Sequence, residues 1–130
     1  MAVQRVPRVG DIHWLDNCEP IRGESAKTRP VVLLTSAEAE TAMGGVLAVA
    51  CTSSAYPSDT LAIELPSHPE GRVRSGLRKR TWAVPQWTLL IRRERLGAYV
   101  GYISGPLLDR LVKTVFEQRR GGAEMEEASS

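Results

Sequence analysis

The apolar residues of this sequence come in short runs broken by turn formers, the longest being VVLL at 31–34 and GVLAVAC at 45–51. Runs of that length suit buried strands and are far too short to span a bilayer. Only one stretch, 106–119, repeats apolar residues at helical spacing. There Leu107, Leu111 and Val115 share a stripe, Leu108, Val112 and Phe116 lie beside it, and Asp109, Arg110, Lys113 and Glu117 fall opposite. Ser104-Gly105-Pro106 is a start signal with proline at the first helical position, and Gly121-Gly122 is the expected stop. Many short strands closed by one helix predict a mainly β chain with a little α: a small, strongly curved β-barrel packed by a C-terminal amphipathic helix.

At 130 residues the chain has room for one domain. Residues 1–9 read as a loose N-terminal arm, 10–120 as the single domain and 121–130 as an acidic, disordered tail. Within the domain, 11–16 (DIHWLD) alternates Ile12 and Trp14 against Asp11 and His13, which is strand periodicity. Residues 17–29 are rich in charge and turn formers and read as a long exposed loop. Pro30 is expected as the first residue of the next strand, where proline is tolerated. A short helix is expected over 37–43 after Ser36, then strands over 45–52, 60–65 and 98–103. Residues 79–91 are expected to hold one or two more, with Pro85 marking an edge or a bulge.

The N-terminal MAVQRVPRVGD has no apolar stretch behind its arginines, so the cytoplasm is the expected location and no membrane partner is implied. The two cysteines, Cys18 and Cys51, are too few for a disulfide framework or a zinc knuckle and read as free thiols; neither metal nor cofactor is expected. The formal net charge of +2 hides an asymmetry. Glu124, Glu126 and Glu127 stand in the last ten residues without a base, so the rest of the chain, holding all 17 bases, carries a net charge near +5. Eight of those bases, Arg72, Arg74, Arg78, Lys79, Arg80, Arg92, Arg93 and Arg95, crowd into residues 72–95. Such a cluster suits a polyanion, although on charge alone a solvated surface is the preferred reading.

Two segments read together are more specific. One runs Gly10-Asp11-Ile12-His13-Trp14, then Pro20, Gly23, Glu24 and Arg29-Pro30-Val31-Val32-Leu33-Leu34; the other is Cys51-Thr52-Ser53-Ser54. This order, with the late LGAYVGYIS and LLDRLVKTV, resembles the PemK/MazF family of ribonuclease toxins from about Gly10 to Val115. The resemblance implies an SH3-like barrel of the PemK/MazF/CcdB kind. It also implies the toxin of a type II toxin–antitoxin pair, a metal-independent endoribonuclease cutting single-stranded RNA to 2′,3′-cyclic phosphate and 5′-hydroxyl ends. A homodimer, a cognate antitoxin folding over the RNA groove, and DNA binding together with that antitoxin are implied as well.

Carried onto this chain, the family's active-site pair is Arg29 of the RP motif and Thr52 of the TS motif. The chemistry agrees, because a guanidinium offers planar donors matched to phosphate and a hydroxyl adds a donor where charge develops. Alone, Arg29 would read as a loop-end residue paired with Glu24, and Thr52 as an ordinary strand-end residue. Ser53 stands in for the hydroxyl should the register slip by one. Glu24 either orients Arg29 or takes part in proton transfer. Lys27, Arg78 and Arg80 are candidates to position RNA through its backbone. Trp87 stacks on a base or packs at the core or a dimer interface, whereas Trp82 reads as core. His13 reads as packing or hydrogen-bonded structure, and His68 carries no assignment.

One departure from the family pattern bears on mechanism. Where many members have an Asp-Gln pair, this chain reads Ala83-Val84-Pro85-Gln86-Trp87-Thr88, without a carboxylate. That leaves two alternatives open: a CcdB-like gyrase-binding toxin on the same barrel, and a degenerate member that binds only RNA or antitoxin.

Overall fold

The computed structural model describes residues 6–21, 23–36, 44–54 and 61–129, with side chains described as far as residue 118. Six strands follow in chain order: β1 (Asp11–Cys18), β2 (Lys27–Leu33), β3 (Val46–Thr52), β4 (Ile63–Leu65), β5 (Thr81–Ile91) and β6 (Leu96–Tyr102). A 3-10 turn, Arg93–Arg95, links β5 to β6, and the helix α1 (Gly105–Ser129) ends the fold. The strands form one sheet in the order β4-β5-β3-β2-β1-β6, antiparallel at every pairing and curled into a half-barrel. The expected class, a strongly curved β-barrel with a closing helix, is the one observed.

Period-two alternation gives this sheet two buried faces. On one, Ile12, Val32, Val49, Cys51 and Ala83 meet Ile103, Leu111 and Val115, so the predicted helical stripe is what covers them. On the other, Leu15, Val31, Leu33, Ala48, Ala50, Val84 and Trp87 pack together, a cluster made wholly of strand residues and buried by the curl itself. Each large side chain so enclosed contributes about 1.5–3 kcal/mol relative to exposure.

Several boundaries differ from expectation. β1 continues to Cys18 and β2 begins at Lys27, so the loop between them is shorter than 17–29 and Arg29 belongs to a strand. Pro30 is the fourth residue of β2, opposite Trp14; the β2–β3 ladder starts only at Val31, so the missing proline N–H costs no bond to β3. The segment 79–91 holds one strand, and Pro85 marks a bulge in it. Val49 pairs with Thr88 and Cys51 with Ala83, so Ala50 alone faces the four residues from Val84 to Trp87. Thr88 Oγ1 donates to the Pro85 carbonyl at 2.9 Å and fastens the bulge.

α1 runs on through Gly121-Gly122, where the sequence predicts its end, and through the tail read as disordered. An exposed helical glycine costs about 1 kcal/mol relative to alanine, and the Ala123-Glu124-Met125-Glu126-Glu127-Ala128 segment beyond it consists of good helix formers. Of the N-terminal arm, the described part is tied down. Pro7 is buried, Arg8 N–H reaches Asp11 Oδ2 at 2.9 Å, and Gly10 bonds both Leu33 and Ile103. The helix expected over 37–43 lies outside the described residues. No helix among those described is long and apolar enough to cross a membrane.

The loop before β5 crosses the backbone of β6 closely. Gly101 lies under the Arg74 and Ser75 carbonyls, and Tyr102 N–H bonds the Arg74 carbonyl at 2.8 Å. Gly76, at φ +69°, sits where any Cβ would run into the Val100 carbonyl oxygen. Only glycine satisfies both demands, and the turn there delivers Leu77 and Arg78 to the side of the sheet described next.

Candidate active site

The β2–β3 ladder begins at the Val31–Ala50 pair; Arg29 lies two residues before Val31 in β2, and Thr52 two residues after Ala50 in β3. Arg29 is the third residue of β2 and Thr52 the last of β3, and both are buried, Arg29 at 3% exposure and Thr52 at 4%. Arg29 Nη2 donates to the Ser25 carbonyl at 3.0 Å, and its Nε makes a longer bond, 3.4 Å, to the Cys18 carbonyl. Its guanidinium carbon lies 5.0 Å over the ring of Trp87. Glu24 Oε2 stands 3.9 Å from Nη2, at the limit of an ion pair and on a side chain 43% exposed, so it screens the charge weakly. Thr52 Oγ1 accepts the Ser54 N–H at 3.2 Å, which leaves the hydroxyl hydrogen to be donated elsewhere.

Arg29 and Thr52 line a groove of about 760 Å³. Trp14 and Asp16 of β1 form one part of its wall, residues 27–30 and 51–53 another, and Gly76, Leu77, Arg78, Lys79 and Thr81 a third, with Gly97, Ala98 and Val100 of β6 completing it. Thr28 Oγ1 donates to Asp16 Oδ1 at 2.9 Å, tying β1 to β2 at the rim. The groove thus brings together five of the sequence candidates: Arg29, Thr52, Lys27, Ser53 and Arg78. Lys27, Ser53 and Arg78 are exposed and reachable by a ligand, whereas Arg29 and Thr52 are buried.

Three candidates are placed otherwise. Glu24 is not part of the groove lining and touches it only through Arg29. Arg80 is exposed but committed: its Nε and Nη2 donate to the two Glu64 carboxylate oxygens at 3.0 Å each, and it lies 5.2 Å over Trp82. Hydrogen bonding from Arg80 holds the Glu64 carboxyl below its ordinary value. Trp87, for which base stacking was one expectation, is 3% exposed and packs within the strand-only cluster, the Pro85 bulge having moved it off the face of Ala83 to the side where Arg29 lies over its ring. Trp82, read as core, is only half-buried, its ring serving as the platform for Arg80.

Other features bear on the site from outside. His13 is buried structure, as expected: Nδ1 donates to the Gly97 carbonyl at 3.0 Å and the ring meets Tyr99 edge-on. Both cysteines are buried free thiols, and burial pushes each above its ordinary value despite the pull of Arg29 and Arg95 on Cys18, so both stay protonated. Among the described residues no three His, Cys, Asp or Glu side chains gather as a metal site would require.

Sequence reasoning passed over Trp14 and the carbonyls that hold Arg29. Trp14 is 40% exposed in the groove wall, although alternation sets it on the face of buried Ile12. The carbonyls of Cys18 and Ser25 are backbone groups, which no residue type announces.

The fold is similar to that of MazF from Deinococcus radiodurans, with a TM-score of 0.68 and 20% identity over 88% of this chain and 97% of that one. It is also similar to MazE–MazF from the same organism, with a TM-score of 0.62 and 19% identity over 88% of this chain and 96% of that one. A search of curated protein sequences finds no match. The family model of PemK-like, MazF-like toxins of type II toxin–antitoxin systems matches residues 8–118, and the chain belongs to that family.

Proposed function

We propose that this toxin is a metal-independent endoribonuclease acting on single-stranded RNA. The observation that carries the reading is that Arg29 and Thr52 line one groove together with Lys27 and Arg78. Attack of the RNA's own 2′-hydroxyl on the adjacent phosphorus forms the 2′,3′-cyclic phosphate and expels the 5′-oxygen, which takes a proton from water and leaves as the 5′-hydroxyl. Negative charge grows on the non-bridging oxygens, and Arg29, fixed in a buried site, offers donors that need no reorganisation to meet it. Thr52, its oxygen already occupied by the Ser54 N–H, donates its hydrogen to the same charge. Arginine titrates above about 12 and is no base. Glu24, 3.9 Å from Arg29 Nη2 and outside the groove lining, helps orient the guanidinium, and the 2′-hydroxyl proton passes to water.

A single strand is the substrate that suits this groove, since duplex bases are stacked away from any protein surface. Lys27 and Arg78 bind the phosphates, and Ser53 adds a polar contact at the rim. The solved MazE–MazF structures from Deinococcus radiodurans support an antitoxin partner for this chain too. β6 is an edge strand with Tyr99 and Tyr102 exposed, which supports pairing with a second copy.

The missing carboxylate in 83–88 favours one second reading, a gyrase-binding toxin on the same barrel. The two separate in one comparison: purified protein is assayed in EDTA for cleavage of a long unpaired RNA, and in parallel for inhibition of gyrase supercoiling. The nuclease reading predicts cleavage that Arg29→Ala abolishes and no effect on supercoiling. Intact RNA with inhibited gyrase would establish the other.

A further inference from the structure

The position of Trp87 poses a question that core filling does not answer. Its ring is 3% exposed, yet one face is given to a cation, the Arg29 guanidinium, at 5.0 Å. The backbone departs from regular pairing to achieve this, since the four-residue bulge from Val84 to Trp87 stands opposite Ala50 alone. A buried arginine is ordinarily held by a carboxylate that takes two of its N–H donors and cancels its charge. Here the carboxylate within reach, Glu24, is 3.9 Å away and 43% exposed.

We infer that Trp87 is a positioning residue for Arg29. The inference rests on the nuclease reading for its catalytic consequence, though not for the contact itself. A ring face attracts the cation without accepting any of its five N–H groups. The carbonyls of Ser25 and Cys18 fix one edge of the fork, the ring fixes its plane, and the remaining donors stay available to a phosphate at full positive charge. A carboxylate in place of the ring would orient Arg29 as well but would compete with the substrate for it.

The test pairs an activity measurement with one independent of activity. Arginine side-chain resonances of isotope-labelled full-length protein are recorded for wild type, Trp87→Phe and Trp87→Leu, with Arg29→Lys identifying the Arg29 signals. In the same proteins kcat and KM for RNA cleavage are measured. The ring predicts upfield-displaced Arg29 signals in wild type, retained in part by Trp87→Phe and lost in Trp87→Leu. It predicts kcat within about threefold of wild type for Trp87→Phe and about tenfold lower for Trp87→Leu, with KM nearly unchanged. Should Trp87→Leu fail to fold, tryptophans of graded fluorination placed at position 87 weaken the ring face at constant shape, and log kcat is expected to fall steadily with fluorine count. Undisplaced Arg29 signals in wild type overturn the inference, as does a kcat indifferent to leucine or to fluorination. A wild type that leaves RNA intact overturns the nuclease reading instead, and the displacement and ordering of the Arg29 signals still decide whether Trp87 positions it.

Discussion

Arg29 and Thr52, carried by β2 and β3, line the same groove, each two residues from the Val31–Ala50 pair. Their side chains are carried by neighbouring central strands, so their separation is set by the sheet and not by a loop. A site built this way holds its donors in place before substrate arrives, which is where electrostatic stabilisation is worth most.

Retaining charge at position 29 is therefore not enough. Arg29→Lys keeps the cation but loses the planar fork, the bond to Ser25 and the flat contact with Trp87. Steady-state cleavage is expected to show kcat lowered about a hundredfold, with RNA affinity changed far less.

At position 52 the hydroxyl and the shape can be separated. Thr52→Val keeps the shape, leaves the Ser54 N–H without its acceptor and removes the donated hydrogen, so kcat is expected to fall about a hundredfold. Thr52→Ser restores the hydroxyl and is expected to return activity to within about tenfold of wild type. Equal losses in both variants would show that shape, not hydrogen bonding, governs this position.

Salt dependence distinguishes bases that meet phosphate from bases that only decorate the surface. Lys27→Ala and Arg78→Ala are each expected to lower the slope of log affinity against log salt by about 0.7, the release expected per phosphate contact on a single strand. Arg80→Ala is expected to leave that slope unchanged, because Arg80 is bound to both Glu64 oxygens. Titration of a labelled RNA oligomer across salt concentrations reads all three.

The thiols bear on stability at alkaline pH. Burial raises both above their ordinary value near 9, so the folded chain holds these protons more tightly than the unfolded one. Their contribution is complete below that pH and is lost as pH rises above it. Denaturant midpoints measured from pH 8 to 10.5 are expected to decline, and to decline less steeply for Cys51→Ala than for wild type.

Much of this architecture was legible in the sequence because it rests on short-range pattern. The apolar runs of β2 and β3 and the stripe Leu107, Leu111, Val115 each announce their element. The pairing of Arg29 with Thr52 came from the order of two motifs, and the sheet register supplies its geometry. What escaped depends on long-range partners. Arg80 reads as a free surface base until Glu64, sixteen residues away, is placed beside it. Alternation alone would set Trp87 on the face of Ala83, beneath the helix; the bulge at Pro85 places it instead on the other buried face, with Val84. The helix continues past Gly121-Gly122 because glycine weakens a helix without ending it.

The most direct test of the central claim is the chemistry of the ends produced when wild type, Arg29→Ala and Thr52→Ala act on one long unpaired RNA in EDTA. The account predicts 2′,3′-cyclic phosphate and 5′-hydroxyl ends from wild type, and a loss of at least about a hundredfold in each variant while all three remain folded. Ends bearing a 5′-phosphate, or cleavage that persists undiminished without Arg29, would contradict it.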